Sequence, residues 1–134
     1  MNVDAIMSRD VETVGPDMSL MEIQDVLRKH GFRHLLVVED DKLVGVISDR
    51  DVLRVISPFL DTLSEEPRDV KTLMRPAREV MRADPVSVSS DTPIEEAAKI
   101  LLKHTISCLP VTSDGHEIEG IVTSKDLLRH LVGS

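Results

Sequence analysis

The sequence predicts an α/β fold: two β-α-β-β-α repeats, packed with pseudo-two-fold symmetry around a shared aliphatic core. Three observations predict it. Residues 45–53, GVISDRDVL, return at 120–128 as GIVTSKDLL. The match also runs well beyond that stretch: Met7, Asp10, Thr13, Asp17 and Val37 align with Met81, Asp84, Ser87, Asp91 and Val111 at an offset of 74, and Gly45 and Asp51 align with Gly120 and Asp126 at 75. Finally, each copy alternates helix-period segments with short apolar runs, the pattern of helices covering a small sheet. The single inserted residue falls between the turn EDDK and the turn SDGHE, a hairpin tip, where insertions are best tolerated. The first repeat is assigned to residues 1–56, a connecting segment to 57–74 and the second repeat to 75–134, together one compact module.

Each element has a local cause. A lead-in helix is expected before each copy, because REVM at the end of the connecting segment matches DAIM at the N-terminus. VETV, residues 11–14, reads as a short strand, and GPDMS supplies turn chemistry and a helix start. In the helix that follows, Leu20, Ile23 and Leu27 stand three and four apart with Val26 beside them, Gln24, Asp25, Arg28 and Lys29 take the opposite face, and Gly31 suits the C-terminal cap. The second copy offers Thr92 as N-cap, Pro93 in the first turn and Glu95 as capping-box acid, with Ile94, Ala97, Ala98, Leu101 and Leu102 as the buried stripe. HLLVV and LVGVIS, then CLPVT and IEGIVT, read as hairpins, and DRDVLRVI and SKDLLRHL as closing helices. Residues 57–79 carry three prolines and mixed charge, so they read as part linker and part helix, with EEPRD exposed.

Composition limits the functions open to such a chain. Its 134 residues with 41% hydrophobic content suffice for a real core, which must be aliphatic because Trp and Tyr are absent and Phe32 and Phe59 are the two aromatic residues. A formal charge of −8 opposes nucleic acid and anionic membranes as partners, since neutralising phosphates requires a surplus of Lys and Arg. No apolar run reaches transmembrane length, the N-terminus lacks a signal-peptide pattern, and Cys108 is the single cysteine, so a cytoplasmic location is expected. The histidines at 30, 34, 104, 116 and 130 show no recurring ligand spacing, and no metal site is expected. Cys108 reads as a half-buried thiol at a strand start, the cluster Glu39, Asp40, Asp41 as a solvated hairpin tip, and no nucleophile and base pair or glycine-rich phosphate loop is present, so no catalytic residue is assigned.

The duplicated motif admits two readings. A Ser or Thr three residues before an acid, between strand and helix, is a capping box. Against a purely structural role stand the choice of Asp in both copies, where Glu or Gln reaches back more easily, and the cation before it each time, Arg50 or Lys125. Hydroxyl, cation and carboxylate together suit a nucleotide, with the carboxylate accepting from a ribose diol and the others meeting a phosphate.

With these residues in view, the chain resembles a tandem pair of CBS domains, often called a Bateman module. The pattern of glycine, two aliphatics, Ser or Thr, two residues and Asp is met in full by GVISDRD and GIVTSKD, and the resemblance covers both repeats. It implies a regulatory module without catalytic chemistry that binds an adenine nucleotide, with AMP, ADP or ATP favoured over NAD or S-adenosylmethionine, in clefts between the repeats. One implied site comprises Ser48, Arg50 and Asp51 for ribose and phosphate, Ala83, Pro85 and Val86 along the adenine, and Val46 as an apolar wall. The other comprises Thr123, Lys125 and Asp126 with Val11, Glu12 and Ile121. Arg33 and His34 match cationic positions that reach phosphates in the family, whereas Ser107 and Cys108 replace them in the second copy, so the Asp51 cleft is the expected one if one alone is filled. A homodimer is expected through Val52, Leu53, Ile56, Leu127, Leu128 and Leu131 of the closing helices. The competing reading is a ligand-free adaptor module that dimerises.

Overall fold

The computed structural model describes residues 1–114 and 117–133. Its chain forms two compact units, each assembled from separate stretches: Glu12–Asp40 with Val44–Asp84, and Met1–Val11 with Asp41–Leu43 and Pro85–Ser134. They are called here the Asp51 unit and the Asp126 unit.

The Asp51 unit is built on a sheet of four strands in the order β1 (Thr13–Val14), β2 (His34–Glu39), β3 (Lys42–Ser48) and β4 (Arg82–Ala83). β1 runs parallel to β2, with Thr13 opposite Leu36, and β4 runs antiparallel to β3, with Gly45 opposite Ala83 and Val46 opposite Arg82. The β2–β3 turn is two residues long, and Asp40 and Asp41 both take positive φ, 52° and 62°, the backbone that matches the twist of a tight hairpin. Helix α1 (Leu20–His30) starts where Ser19 accepts the Glu22 N–H and ends at Gly31 in the left-handed region. It buries Leu20, Ile23 and Leu27 against Leu35, Val37, Ile47, Val52 and Ala77, each large side chain contributing about 1.5–3 kcal/mol by its burial. Helix α2 is short (Asp49–Val55).

In the Asp126 unit the same plan appears with less regular pairing. β5 (Cys108–Ser113) and β6 (Glu117–Thr123) form a hairpin whose register slips between Val111 and Thr112. Where the Asp51 unit has β1, Val88 bridges to Val111, its N–H donating to Pro110 and its carbonyl accepting from Thr112. Where that unit has β4, Ser8 and Ile121 exchange backbone bonds of 2.8 and 2.9 Å. Val3, Val88, Ala97, Leu101, Leu109, Val111 and Val122 make the core. The expected lead-in helices are 3-10 turns at Val3–Ala5 and Ala77–Glu79. The strand bounds place the inserted residue between Ser113 and Glu117, where Gly115 and His116 lie outside the described residues.

Four expectations are corrected. Helix α4 (Ile94–His104) has Pro93, not Thr92, at its N-cap, because the Thr92 hydroxyl accepts the Ser89 N–H and is spent on the preceding turn. Leu102 is 82% exposed rather than buried: Ala97 and Leu101, four apart, face the core, and the next residue round the helix turns away. Cys108 is buried rather than half-buried. In the connecting segment, which contains α3 (Pro67–Lys71), Glu65, Glu66, Pro67 and Arg68 are exposed but Asp69 is not. Its carboxylate accepts from the Ser57 hydroxyl at 2.8 Å and the Glu66 N–H at 2.7 Å, and these bonds hold it below the usual carboxylate range.

Candidate functional site

The glycine that opens each motif is there for the lead-in segment. A side chain at Gly45 would run into the Met81 side chain, and one at Gly120 would meet the Ser8 carbonyl oxygen at 2.5 Å and the Met7 sulfur at 3.1 Å. Only a bare Cα lets Met81–Arg82 and Met7–Ser8 lie flat on the strand. That contact brings Ala83 beside Gly45 in one unit and Ser8 beside Ile121 in the other.

At the end of each strand the motif turns into a helix through a closed capping box. Ser48 Oγ accepts the Asp51 N–H at 3.1 Å while Asp51 Oδ2 accepts the Ser48 N–H at 2.9 Å. In the other unit Thr123 Oγ1 accepts the Asp126 N–H at 3.2 Å and Asp126 Oδ2 accepts the Thr123 N–H at 2.8 Å. The choice of Asp, which reaches back less easily than Glu or Gln, therefore does not argue against a cap: the N-cap residue is extended, at ψ 164° for Ser48 and 165° for Thr123, and the shorter acid closes the box in both copies. The box uses one carboxylate oxygen. The other, Oδ1, is met at 3.9 Å by Arg54 in Asp51 and at 4.0 Å by Arg129 in Asp126, contacts longer than a hydrogen bond. Asp51 is 7% exposed, and Asp126 is more open.

The residues singled out in the sequence gather unevenly. Arg33, His34, Val46, Ser48, Arg50, Asp51 and Ala83 share the Asp51 unit. The Arg33 carbonyl accepts the Asp49 N–H at 2.9 Å, which fixes the start of β2 against the start of α2. Val11, Ile121, Thr123, Lys125 and Asp126 share the Asp126 unit, where the Ser107 carbonyl accepts the Ser124 N–H at 2.9 Å in the same way. Glu12 falls in the Asp51 unit, 3.8 Å from His30, and Pro85 and Val86 fall in the Asp126 unit.

A residue overlooked in the sequence, Arg82, belongs to the cationic set. It sits on β4 opposite Val46, and its charge acts on His34 together with that of Arg33. The pKa of His34 is lowered, first by burial and then by the two arginines, against the opposing pull of Asp49 and Asp51. The signal for Arg82 was legible as MRAD in one copy against MSRD in the other. Among the described residues no group of three or more His, Cys, Asp or Glu is arranged to hold a metal ion, and no helix is long and apolar enough to cross a membrane.

Comparison with known proteins gives the family and the fold. The CBS domain family model matches residues 3–58 and, separately, residues 77–133. The chain belongs to the CBS domain family. Among its relatives is inosine-5'-monophosphate dehydrogenase of Korarchaeum cryptofilum, 34% identical over 92% of this chain and 23% of the enzyme. The chain spans from 22% to 61% of the length of the first four curated relatives it matches. The crystal structure of a CBS domain pair in complex with 5'-methylthioadenosine and S-adenosyl-L-methionine superposes with a TM-score of 0.82 at 28% identity, covering 99% of this chain and 97% of that one. The AMP complex of CBSX2 gives 0.79 at 26% identity, covering 98% and 96%. Both the tandem arrangement and the α/β class read from the sequence are thus those of CBS domain pairs, each CBS repeat carrying one Gly-to-Asp motif.

Proposed function

We propose that this chain is a regulatory module that binds an adenine nucleotide or adenosyl compound at its two Gly-to-Asp motifs and transmits occupancy through the packing of a dimer or of a regulated partner. The observation that carries it is the divided use of each aspartate: Oδ2 closes the cap, and Oδ1 is left to accept from a ribose diol. Binding of AMP by CBSX2, and of 5'-methylthioadenosine and S-adenosyl-L-methionine by another CBS pair, supports the ligand class. In this reading Ser48, Arg50, Asp51, Arg33 and His34 serve one ligand and Thr123, Lys125 and Asp126 the other, with Val46, Ala83, Pro85, Val86, Val11, Glu12 and Ile121 as candidate adenine contacts. The protein works in the cytoplasm and performs no chemistry of its own. A bound ligand shifts the packing equilibrium by its difference in affinity between states, typically ~1–3 kcal/mol.

The dimer part of the proposal rests on Leu53, Leu128 and Leu131, which are 64%, 61% and 78% exposed on the two closing helices. Val52 leaves the set, since it is 2% exposed within the core of its own unit. A dimer by light scattering at tens of micromolar is expected, and a monomer counts against this part.

One specific observation favours the adaptor reading: each capping box is closed entirely by the protein's own groups. A thermal-shift series with AMP, ADP, ATP, NAD and S-adenosylmethionine separates the two. A ligand at one hundred times its dissociation constant stabilises by about 2.7 kcal/mol. No shift with any of the five at millimolar concentration favours the adaptor.

A further inference from the structure

The two motifs share a backbone but differ in charge around it. At the Asp51 motif, Arg50 lies in the helix start, Arg33 at the head of β2 and Arg82 on β4, and the charges of Arg33, Arg82, Asp49 and Asp51 all act on half-buried His34. The equivalent positions at the Asp126 motif are Lys125, Ser107, Ser8, Ser124, Asp126 and Cys108. With Arg54 and Arg129 beside the second carboxylate oxygens, four fixed cations and a titratable imidazole against two carboxylates become two cations against one carboxylate. The equivalences are structural as well as sequential: the Arg33 and Ser107 carbonyls accept the N–H of Asp49 and Ser124, and Arg82 and Ser8 pair with Val46 and Ile121. Arg9 aligns with Ala83, one residue beyond the position that pairs with Ile121.

Resting on the adenosine reading above, we propose that the two motifs take chemically different ligands: an adenosine 5'-phosphate at the Asp51 motif, and an adenosyl compound with an uncharged 5' substituent at the Asp126 motif. A phosphate entering the first setting meets a net positive field and donors on three arginines, and it favours protonation of His34, which adds a fourth. In the second setting Lys125 and Arg129, the latter paired with Asp126, offer the same phosphate fewer cationic donors, so its desolvation is less fully compensated. Ser8, Ser107 and Cys108 are small there and impose no charge on a neutral substituent.

The test is calorimetric titration of the full chain with AMP and with 5'-methylthioadenosine. Asp126→Asn and Asp51→Asn each disable one motif, and circular dichroism melts establish that the variants are folded. In Asp126→Asn, AMP is expected to bind at least about tenfold tighter than 5'-methylthioadenosine, a preference that shrinks as salt is raised from 50 to 500 mM. Adding Arg82→Ser to that chain lowers the AMP to 5'-methylthioadenosine affinity ratio by about tenfold. In Asp51→Asn, 5'-methylthioadenosine binds at least as tightly as AMP, and adding Ser8→Arg shifts the ratio toward AMP. If both single variants prefer AMP by the same factor, or Arg82→Ser leaves the ratio where it was, the division of labour is wrong while the adenosine reading stands. If the parent chain binds neither compound, the adenosine reading fails and this proposal with it.

Discussion

The Asp51 and Asp126 units solve the same backbone problem with different side chains. Both place a methionine of the lead-in segment over a motif glycine, both end the strand in a capping box, and both fix the head of the hairpin to the start of the closing helix through one carbonyl. They diverge in how the helix before the hairpin ends, in how firmly the lead-in segment pairs, and in charge. What repeats is what the chain needs in order to fold; what differs is free to specify a ligand.

The comparison breaks most sharply at the glycines. Gly120→Ala is expected to cost about 3 kcal/mol in urea unfolding, the upper range for overpacking, because the new methyl meets the backbone carbonyl of Ser8. Gly45→Ala should cost less, about 1–2 kcal/mol, since its nearest obstacle is the flexible end of Met81, with the Arg82 carbonyl at 3.1 Å. Equal costs would show that the two lead-in contacts are equally rigid.

Next come the aspartates. Asp51→Asn and Asp126→Asn keep an acceptor for the N-cap N–H, so each should lose on the order of 1 kcal/mol of stability or less. Each removes one of two charged acceptor oxygens, so affinity for the adenosine ligand at that motif should fall roughly tenfold to a hundredfold by calorimetry. Undiminished binding in both variants, with a lowered melting point, makes the motif a cap and nothing more.

A smaller effect separates the helix ends. Gly31 and Thr105 both follow their helices in the left-handed region, at φ 67° and 54°, but a β-branched residue is strained there. Thr105→Gly is expected to stabilise the protein by about 1 kcal/mol, and Gly31→Thr to destabilise it by a similar amount, both read from chemical denaturation. The smallest effect is that of His34. Its folded-state pKa lies below the ordinary value of 6.5, so the unfolded chain binds more protons in the interval between the two. Its contribution is complete above about pH 6.5 and is lost as the pH falls toward the folded-state value. His34→Gln should therefore flatten the decline in melting temperature below pH 6.5, and an unchanged profile would place the pH sensitivity elsewhere.

Much of this was legible in one dimension. The offset of 74, stepping to 75 across the hairpin tip, gave the repeat; the spacing of Leu20, Ile23 and Leu27 gave the core face of α1; and the two Gly-to-Asp stretches gave the family. These signals are local, because helix period, strand runs and capping depend on residues a few positions apart. The exposure of Leu102, the inward turn of Asp69 and the N-cap of α4 were not legible. Each depends on which neighbour claims a hydroxyl or covers a helix face, and those neighbours are chosen by packing.

The sequence by itself determined the two copies, their element order and the identity of the motif, since each follows from periodicity and from residues that match at fixed offsets. Only the tertiary structure decided that the lead-in segment lies on the motif strand, that Asp closes the cap with one oxygen, and that the charges of Arg82 and Arg33 act together on His34. Arg82 and Arg33 are far apart along the chain, and their charges act together because β4 and β2 lie on either side of β3 in one sheet.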